Sequence, residues 1–285
     1  MFIPMPVNPV ARLSGLFIYP VKSLRGCAVT SVEIDPLGPV DDRRFLVIDP
    51  TGRFVTQRTL PRMALIETAV GNGILRLSSA GAGSIEVPLR AAPGSAMLRT
   101  VSVWKSEGLQ AEDCGDAVAT WLAGFLGLAC RLVRIGRDYN RPILKASARP
   151  GDVVSFADAF PFMGISEASL ADLNTRLASG GERPVPMDRF RPSLVFAGCG
   201  AHAEDTWTRF RIGEVTFRAG GPCARCVITT TDQQTAERSP EPLRLLATYR
   251  RDPTDNTRIN FGQNFIHENK TGRIALGDPV NADVG

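Results

Sequence analysis

The sequence predicts a mostly β protein with a few helices, of the α+β kind. Short runs rich in β-branched and aromatic residues recur along the chain, separated by Gly, Pro, Asn and Asp turn signals. Alternation gives way to a helical period over Asp113 to Leu126, over Ser166 to Leu177 and briefly over Pro242 to Tyr249. No Gly-x-Gly-x-x-Gly follows a strand, which argues against a doubly wound dinucleotide fold. Many short strands at regular spacing belong instead to a barrel or sandwich.

Arg12 to Leu24 alternates and ends in Tyr19-Pro20-Val21-Lys22-Ser23, placing an ammonium and a hydroxyl at a strand end. That pair suits a phosphate, or is a solvated loop; no Walker loop precedes it. Val29 to Ile34 is a strand, and Arg44 to Ile48 with Arg53 to Thr56 reads as a hairpin. Ala64 to Val70 and Ile74 to Leu77 form another across Gly71-Asn72-Gly73, and Ser84 to Leu89 and Leu98 to Val103 are further strands. The helix from Asp113 or Asp116 carries Val118, Trp121, Leu122 and Phe125 on one stripe and stops at Gly127. Cys130 to Ile135 is a strand. The arginine- and proline-rich stretch after it is the expected boundary between domains at 10–136 and 137–285.

In the second part Asp152 to Phe156 reads as a strand and Asp158 to Phe162 as a loop. Ser166 is the candidate N-cap of a helix bearing Leu170, Leu173 and Leu177. Leu194 to Ala197 is a strand, Thr208 to Ile212 and Glu214 to Arg218 a hairpin, and Ile274 to Leu276 the last strand.

The composition, 44% hydrophobic and 22% charged over 285 residues, is that of a globular chain. A net charge of +4, without a clustered basic run, suits an anionic small ligand; nucleic-acid binding is not expected. The start has prolines at positions 4, 6 and 9 and no secretory pattern, and no run is long enough for a membrane-spanning helix. Six cysteines in a chain this long read as reduced thiols of a cytoplasmic protein.

The most informative stretch is Gly220-Gly221-Pro222-Cys223-Ala224-Arg225-Cys226, followed by Val227 to Thr231. The glycines and proline read as a loop and the β-branched run as a strand, so the thiols stand at a loop-to-strand junction. Arg225 beside Cys226 favours the thiolate, the metal-binding form. Residue spacing leaves several readings open: a zinc site completed by Cys199 and His202, a redox pair, one thiolate ligating a soft metal, or two buried cysteines without chemistry.

Tyr19 to Ser23, Asp42-Arg43, Ile165 to Asn174, Phe190-Arg191-Pro192 and Cys223 to Cys226, in this order over residues 13–281, resemble the MOSC-domain family. The likeness is to its amidoxime-reducing members and their bacterial relatives. The resemblance implies a β-rich N-terminal domain packed on a MOSC β-barrel, with a molybdenum cofactor (Mo-molybdopterin) between them. It implies Cys226 as the metal ligand and catalytic centre. Lys22, Ser23, Arg43, Asp158, Ala159, Phe160, Arg191, Ser193, Ala224, Arg225 and Asn264 would contact the cofactor. Phe160, Ser193, Ala224 and Asn264 depart from the family's commonest residues, which leaves backbone contacts at those positions. The implied activity is reduction of N-hydroxylated compounds with electrons from a separate ferredoxin-, flavoprotein- or cytochrome-type protein. The iron–sulfur extension of some bacterial relatives and the anchor of mitochondrial ones are missing from the sequence, so no membrane anchor is expected. A cofactor carrier without turnover, and a zinc-stabilised β-module, are the competing expectations.

Overall fold

The computed structural model describes residues 11–92 and 94–284; the proline-bearing start at 1–10 lies outside them. In chain order the strands of the first part are β1 (Arg12–Ile18), β2 (Cys27–Ala28), β3 (Ser31–Asp35), β4 (Gly38–Pro39), β5 (Phe45–Ile48) and β6 (Glu67–Gly71). They continue with β7 (Ile74–Ser79), β8 (Gly83–Pro88), β9 (Leu98–Val103), β10 (Ser106–Asp113) and, after helix α1 (Asp116–Leu126), β11 (Arg131–Ile135). The second part holds β12 (Phe162–Ser166), α2 (Glu167–Ser179), β13 (Leu194–Ala197), β14 (Trp207–Ile212) and β15 (Val215–Ala224). It ends with α3 (Leu243–Tyr249), β16 (Asn260–His267), β17 (Gly272–Ala275) and β18 (Val280–Val284).

These strands form an eight-stranded sheet in the order β18-β14-β15-β16-β12-β13-β1-β2, a four-stranded sheet β5-β11-β10-β9, and the three-stranded sheets β17-β3-β4 and β6-β7-β8. The fold is mostly β with helices at its margins, as the sequence predicts. The chain's first strand pairs with β13 from the second part, and β3 with β17, so residues near the N-terminus stitch the two parts together. Phe162, Phe196, Phe210, Phe217 and Phe265 fill the core under the large sheet. A second core packs α1, through Val118, Leu122 and Phe125, against Phe45, Leu75 and Leu132. Among the described residues no helix is long and apolar enough to cross a membrane.

Local chemistry explains most element ends. Asn72 and Gly73, at φ 52° and 77°, make the two-residue turn between β6 and β7 that the hairpin's right-handed twist requires. Ser166 caps α2 by accepting from the Ser169 N–H, and α1 ends on left-handed Gly127.

Several expected elements differ. Residues 227–230 form a 3-10 turn instead of a strand. The Thr229 and Thr230 hydroxyls donate back to the Cys226 and Val227 carbonyls at 3.0 and 2.8 Å, and this local bonding outweighs β-branching. Gly220 to Cys223 lie within β15, where register slips on both sides of Pro222 accommodate them as bulges. The thiols therefore stand at a strand exit, not a strand entry. Asp152 to Phe156 forms only one isolated bridge, Val153 to Pro142, because the Arg141 guanidinium takes the Ser155 and Ala157 carbonyls. The second arm of the expected 44–56 hairpin leaves β5 after one bridge, Ile48 to Phe54. The sequence reading passes over β10, β12, β16 and β18 and the two-residue strands β2 and β4; only β18 follows what it takes as the final strand.

Candidate active site

The residue 19–23 loop leaves β1 and runs beside residues 43–45: Lys22 N–H donates to the Phe45 carbonyl at 2.9 Å and Arg43 N–H to the Tyr19 carbonyl at 2.8 Å. Ser23, Arg43 and Arg191 have φ of 68°, 48° and 55°. A side chain in this left-handed region costs roughly 1–2 kcal/mol, so the surrounding structure holds each there against its preference. Arg43 and Arg191 place their guanidinium carbons 4.1 and 4.3 Å from the centroid of the Tyr19 ring. Tyr19 is buried and donates its hydroxyl to the Pro192 carbonyl at 3.0 Å. Burial pushes its phenol up to about 12, against the pull of Arg191 and Arg43. Burial also lowers Arg191 to about 10.

Lys22, 4% exposed, forms an ion pair with Asp158. Desolvation lowers its ammonium to about 8 despite that partner. Asp158 also accepts from Arg58 at 2.8 Å and from the Trp104 indole at 3.1 Å. Desolvation works against its charge, yet Lys22 and Arg58 hold the carboxyl far below the usual range. The Arg58 guanidinium lies 4.7 Å from the Trp104 ring centroid, with Cys226 near enough to act on its charge. Burial opposes its charge, but Asp158 and Cys226 raise its pKa above the ordinary arginine value. Arg58 thus links the thiol to the Lys22 cluster.

Cys226 is a half-buried free cysteine heading the 3-10 turn. Its sequence neighbour Arg225 turns the other way, to Cys223 Sγ at 2.9 Å and the Phe190 carbonyl at 2.6 Å. The guanidinium that acts on Cys226 is therefore that of Arg58, far away in the sequence. Gln57 and Gln233 complete the enclosure: Gln57 donates to the Ser23 carbonyl at 2.8 Å, and Arg191 to Gln233 Oε1 at 3.4 Å.

Lys22, Ser23, Arg43, Asp158 and Arg191 thus come together through shared partners, and Cys226 joins them through Arg58. Ala159 lines a cleft of about 320 Å³ with Asp158 and Trp104. Phe160 covers Gly220, where a Cβ would lie 2.7 Å from its ring. Asn264 donates to the Gly221 and Pro222 carbonyls at 3.2 Å, behind the exposed Ala224. Ser193 stands apart: its hydroxyl is 2.9 Å from Met163 N and 3.2 Å from Met163 O, within the sheet. A larger groove of about 400 Å³ on β1 and α2 includes none of these residues.

The four-ligand zinc set is not assembled, since among the described residues no three His, Cys, Asp or Glu side chains converge on a metal position. His202 is turned to Asp172, and Cys199 packs on the core under the large sheet. Arg58, Trp104, Arg141, Gln57 and Gln233 escaped the sequence reading. Gln57-Arg58 stands in an irregular segment after an abandoned hairpin, where periodicity carries no signal.

Residues 10–129 match the MOSC N-terminal beta barrel domain and residues 151–281 the MOSC domain. Mitochondrial amidoxime-reducing component 1 of Mus musculus is 38% identical over 96% of this chain and 83% of its own length. The Homo sapiens protein of that name shows the same identity and coverage. Mitochondrial amidoxime reducing component 2 of Rattus norvegicus is 35% identical over 96% of this chain and 84% of its own. With both domain models in order and this identity across nearly the whole length, the chain belongs to the MOSC-domain family, among the relatives of the mitochondrial amidoxime-reducing components.

Proposed function

We propose that this chain is a molybdenum-cofactor-dependent reductase of N-hydroxylated compounds, namely amidoximes, hydroxylamines and N-hydroxylated nucleobases, supplied with electrons by a separate carrier protein. One observation carries the reading: an accessible thiol stands beside enclosed cations that outnumber their carboxylate partners. Among the described residues Lys22, Arg43, Arg58, Arg141 and Arg191 face three carboxylates, Asp42, Asp158 and, beside Arg191, Asp188. Desolvated cations without matching carboxylates favour an anion, and a phosphate-bearing cofactor supplies one. The Cys226 thiolate is the soft donor that molybdenum takes, so thiol and cradle both fit the group. The amidoxime-reducing names of the relatives support the same reading.

When bound, the cofactor supplies a metal able to accept an oxygen atom and pass an electron pair. Cys226 would ligate it. Lys22, Ser23, Arg43 and Arg191 would hold the phosphate and the polar ring system, with arginine suited to bidentate contact. Arg58 would fix the sulfur and the Lys22–Asp158 pair in one arrangement. For each N–O bond cleaved, an electron pair and a pair of protons are consumed and water leaves, with the amidine or amine as product.

The test is elemental analysis of protein from a host that makes the cofactor, beside Cys226→Ala. Near-stoichiometric molybdenum that is lost in a folded Cys226→Ala, together with amidoxime reduction, is the expected result. Molybdenum and turnover that persist in the variant would remove Cys226 from the site.

A further inference from the structure

The cleft beside Asp158 is lined by Trp104, by Pro142, Ile143 and Leu144, and by Lys105 and Lys145. Trp104 is 48% exposed and sits at φ 55°, an unusual conformation for so large a residue. It is nevertheless pinned: its indole N–H donates to Asp158, Arg58 stacks on it, and Phe54 meets its edge at 5.1 Å. A strained, exposed and immobilised aromatic ring is a fixed stacking platform. Leu144, 60% exposed, supplies apolar surface in the same cleft.

The charge is one-sided. Among the described residues Asp158 is the only carboxylate in the lining, and Lys22 and Arg58 already pair with it. Arg141 gives its donors to the Ser155, Ala157 and Asp158 carbonyls and the Ser106 hydroxyl, so its charge stays in the wall without a carboxylate of its own. Lys105 and Lys145 are exposed. The result is a partly apolar cleft beside lysines, with Arg58 stacked on Trp104 and close enough to Cys226 to feel its charge.

Resting on the reductase reading, the geometry points to this cleft as the substrate slot, selecting N-hydroxylated compounds with a flat aromatic body and an anionic substituent. Trp104 stacks the body, and Lys105 and Lys145 set the charge preference. Among the described residues the lining offers a cationic substituent no carboxylate beyond the already paired Asp158.

The test uses the metal-loaded protein without reductant, so that nothing turns over, and three probes of different charge on one aromatic body: 4-carboxy-, unsubstituted and 4-trimethylammonio-benzamidoxime. Binding is followed by calorimetry and by quenching of tryptophan fluorescence; of the other tryptophans, Trp207 is buried and Trp121 partly so. The anionic probe is expected to bind roughly 5- to 10-fold tighter than the cationic one at low salt, with the gap shrinking as salt is added. Lys105→Glu with Lys145→Glu should reverse that order. Trp104→Ala should weaken all three probes by roughly 3- to 10-fold and abolish the quenching, with an unchanged circular dichroism spectrum. Equal affinity for the three charges, an order insensitive to the double reversal, or no saturable binding because the cofactor fills the cleft would each overturn the inference. Amidoxime reduction that persists alongside any of those results leaves the reductase reading standing. A charge-ordered affinity with no reduction under any electron donor sinks that reading and keeps the slot.

Discussion

Arg58 and Asp158, 100 positions apart in sequence, meet at 2.8 Å between Nη2 and Oδ2. The contact joins the two parts of the chain at the point where the Cys226 thiol, the Lys22 ammonium and the Trp104 ring converge. Arg58→Gln removes the charge nearest Cys226 and one of the two cations paired with Asp158. Because Asp158 is 50% exposed, solvent screening keeps the stability loss to about 1 kcal/mol or less. Retained molybdenum should fall severalfold while the melting temperature moves little. Full metal content in Arg58→Gln would show that Arg58 does not hold the site together.

Ser23 is 6% exposed at φ 68°. A residue kept in the left-handed region inside a cation cluster is a place where stability and function oppose each other. Ser23→Gly relieves the backbone, and urea unfolding should show a gain of about 0.5–1 kcal/mol. The same variant loses the hydroxyl, so cofactor retention should decline. A destabilised Ser23→Gly would mean that the hydroxyl contributes more to the fold than the strain costs.

Tyr19 holds two like charges against one ring. Tyr19→Phe keeps the ring and loses only the hydroxyl bond to Pro192, at a cost of about 1 kcal/mol in urea unfolding. Tyr19→Leu also loses both guanidinium–ring contacts, each worth about 0.5–2 kcal/mol depending on desolvation. Molybdenum content should therefore survive Tyr19→Phe and drop in Tyr19→Leu. Equal retention in the two variants would separate the ring from the cradle.

What was legible in the sequence divides along physical lines. The hairpin at Asn72-Gly73 and the ends of α1 and α2 at Gly127 and Ser166 follow from local rules: left-handed turn residues, a C-terminal glycine, an N-cap serine. Lys22, Arg43, Arg191 and Cys226 were named from motif order, and their neighbourhood arises from long-range pairing that no window of sequence contains. The errors lie where a side chain overrides backbone propensity. Thr229 and Thr230 bond back to their own turn, and Arg141 takes the Ser155 carbonyl that a strand at 152–156 would have used. Adjacency in sequence misled most at Arg225, whose guanidinium serves Cys223 while the distant Arg58 serves Cys226. Trp104 had no signal at all, because a lone tryptophan in a β-turn looks like any exposed loop residue until its partners are known.

Lys22 makes the site's anion affinity depend on pH. Desolvation, outweighing Asp158, brings the ammonium from its ordinary 10.5 down to about 8. Between those values the unfolded chain binds the proton more tightly, so the penalty of charging Lys22 is complete below about 8 and is relieved as pH rises toward 10.5. Weaker anion binding in that range therefore cannot come from unfolding driven by this group. Below about 8 the ammonium is charged and can hold an anion; above it the amine is neutral and cannot. Arg191, lowered only to about 10, keeps its charge through most of the window. Sulfate, a dianion throughout, is the cleaner probe than phosphate. Its affinity for cofactor-free protein should fall roughly tenfold between pH 7 and 9, as a hydrogen bond to a charged group is lost. Lys22→Arg keeps a cation over the whole range and should flatten the profile. A wild-type profile that is already flat would place the sulfate contact on the arginines alone.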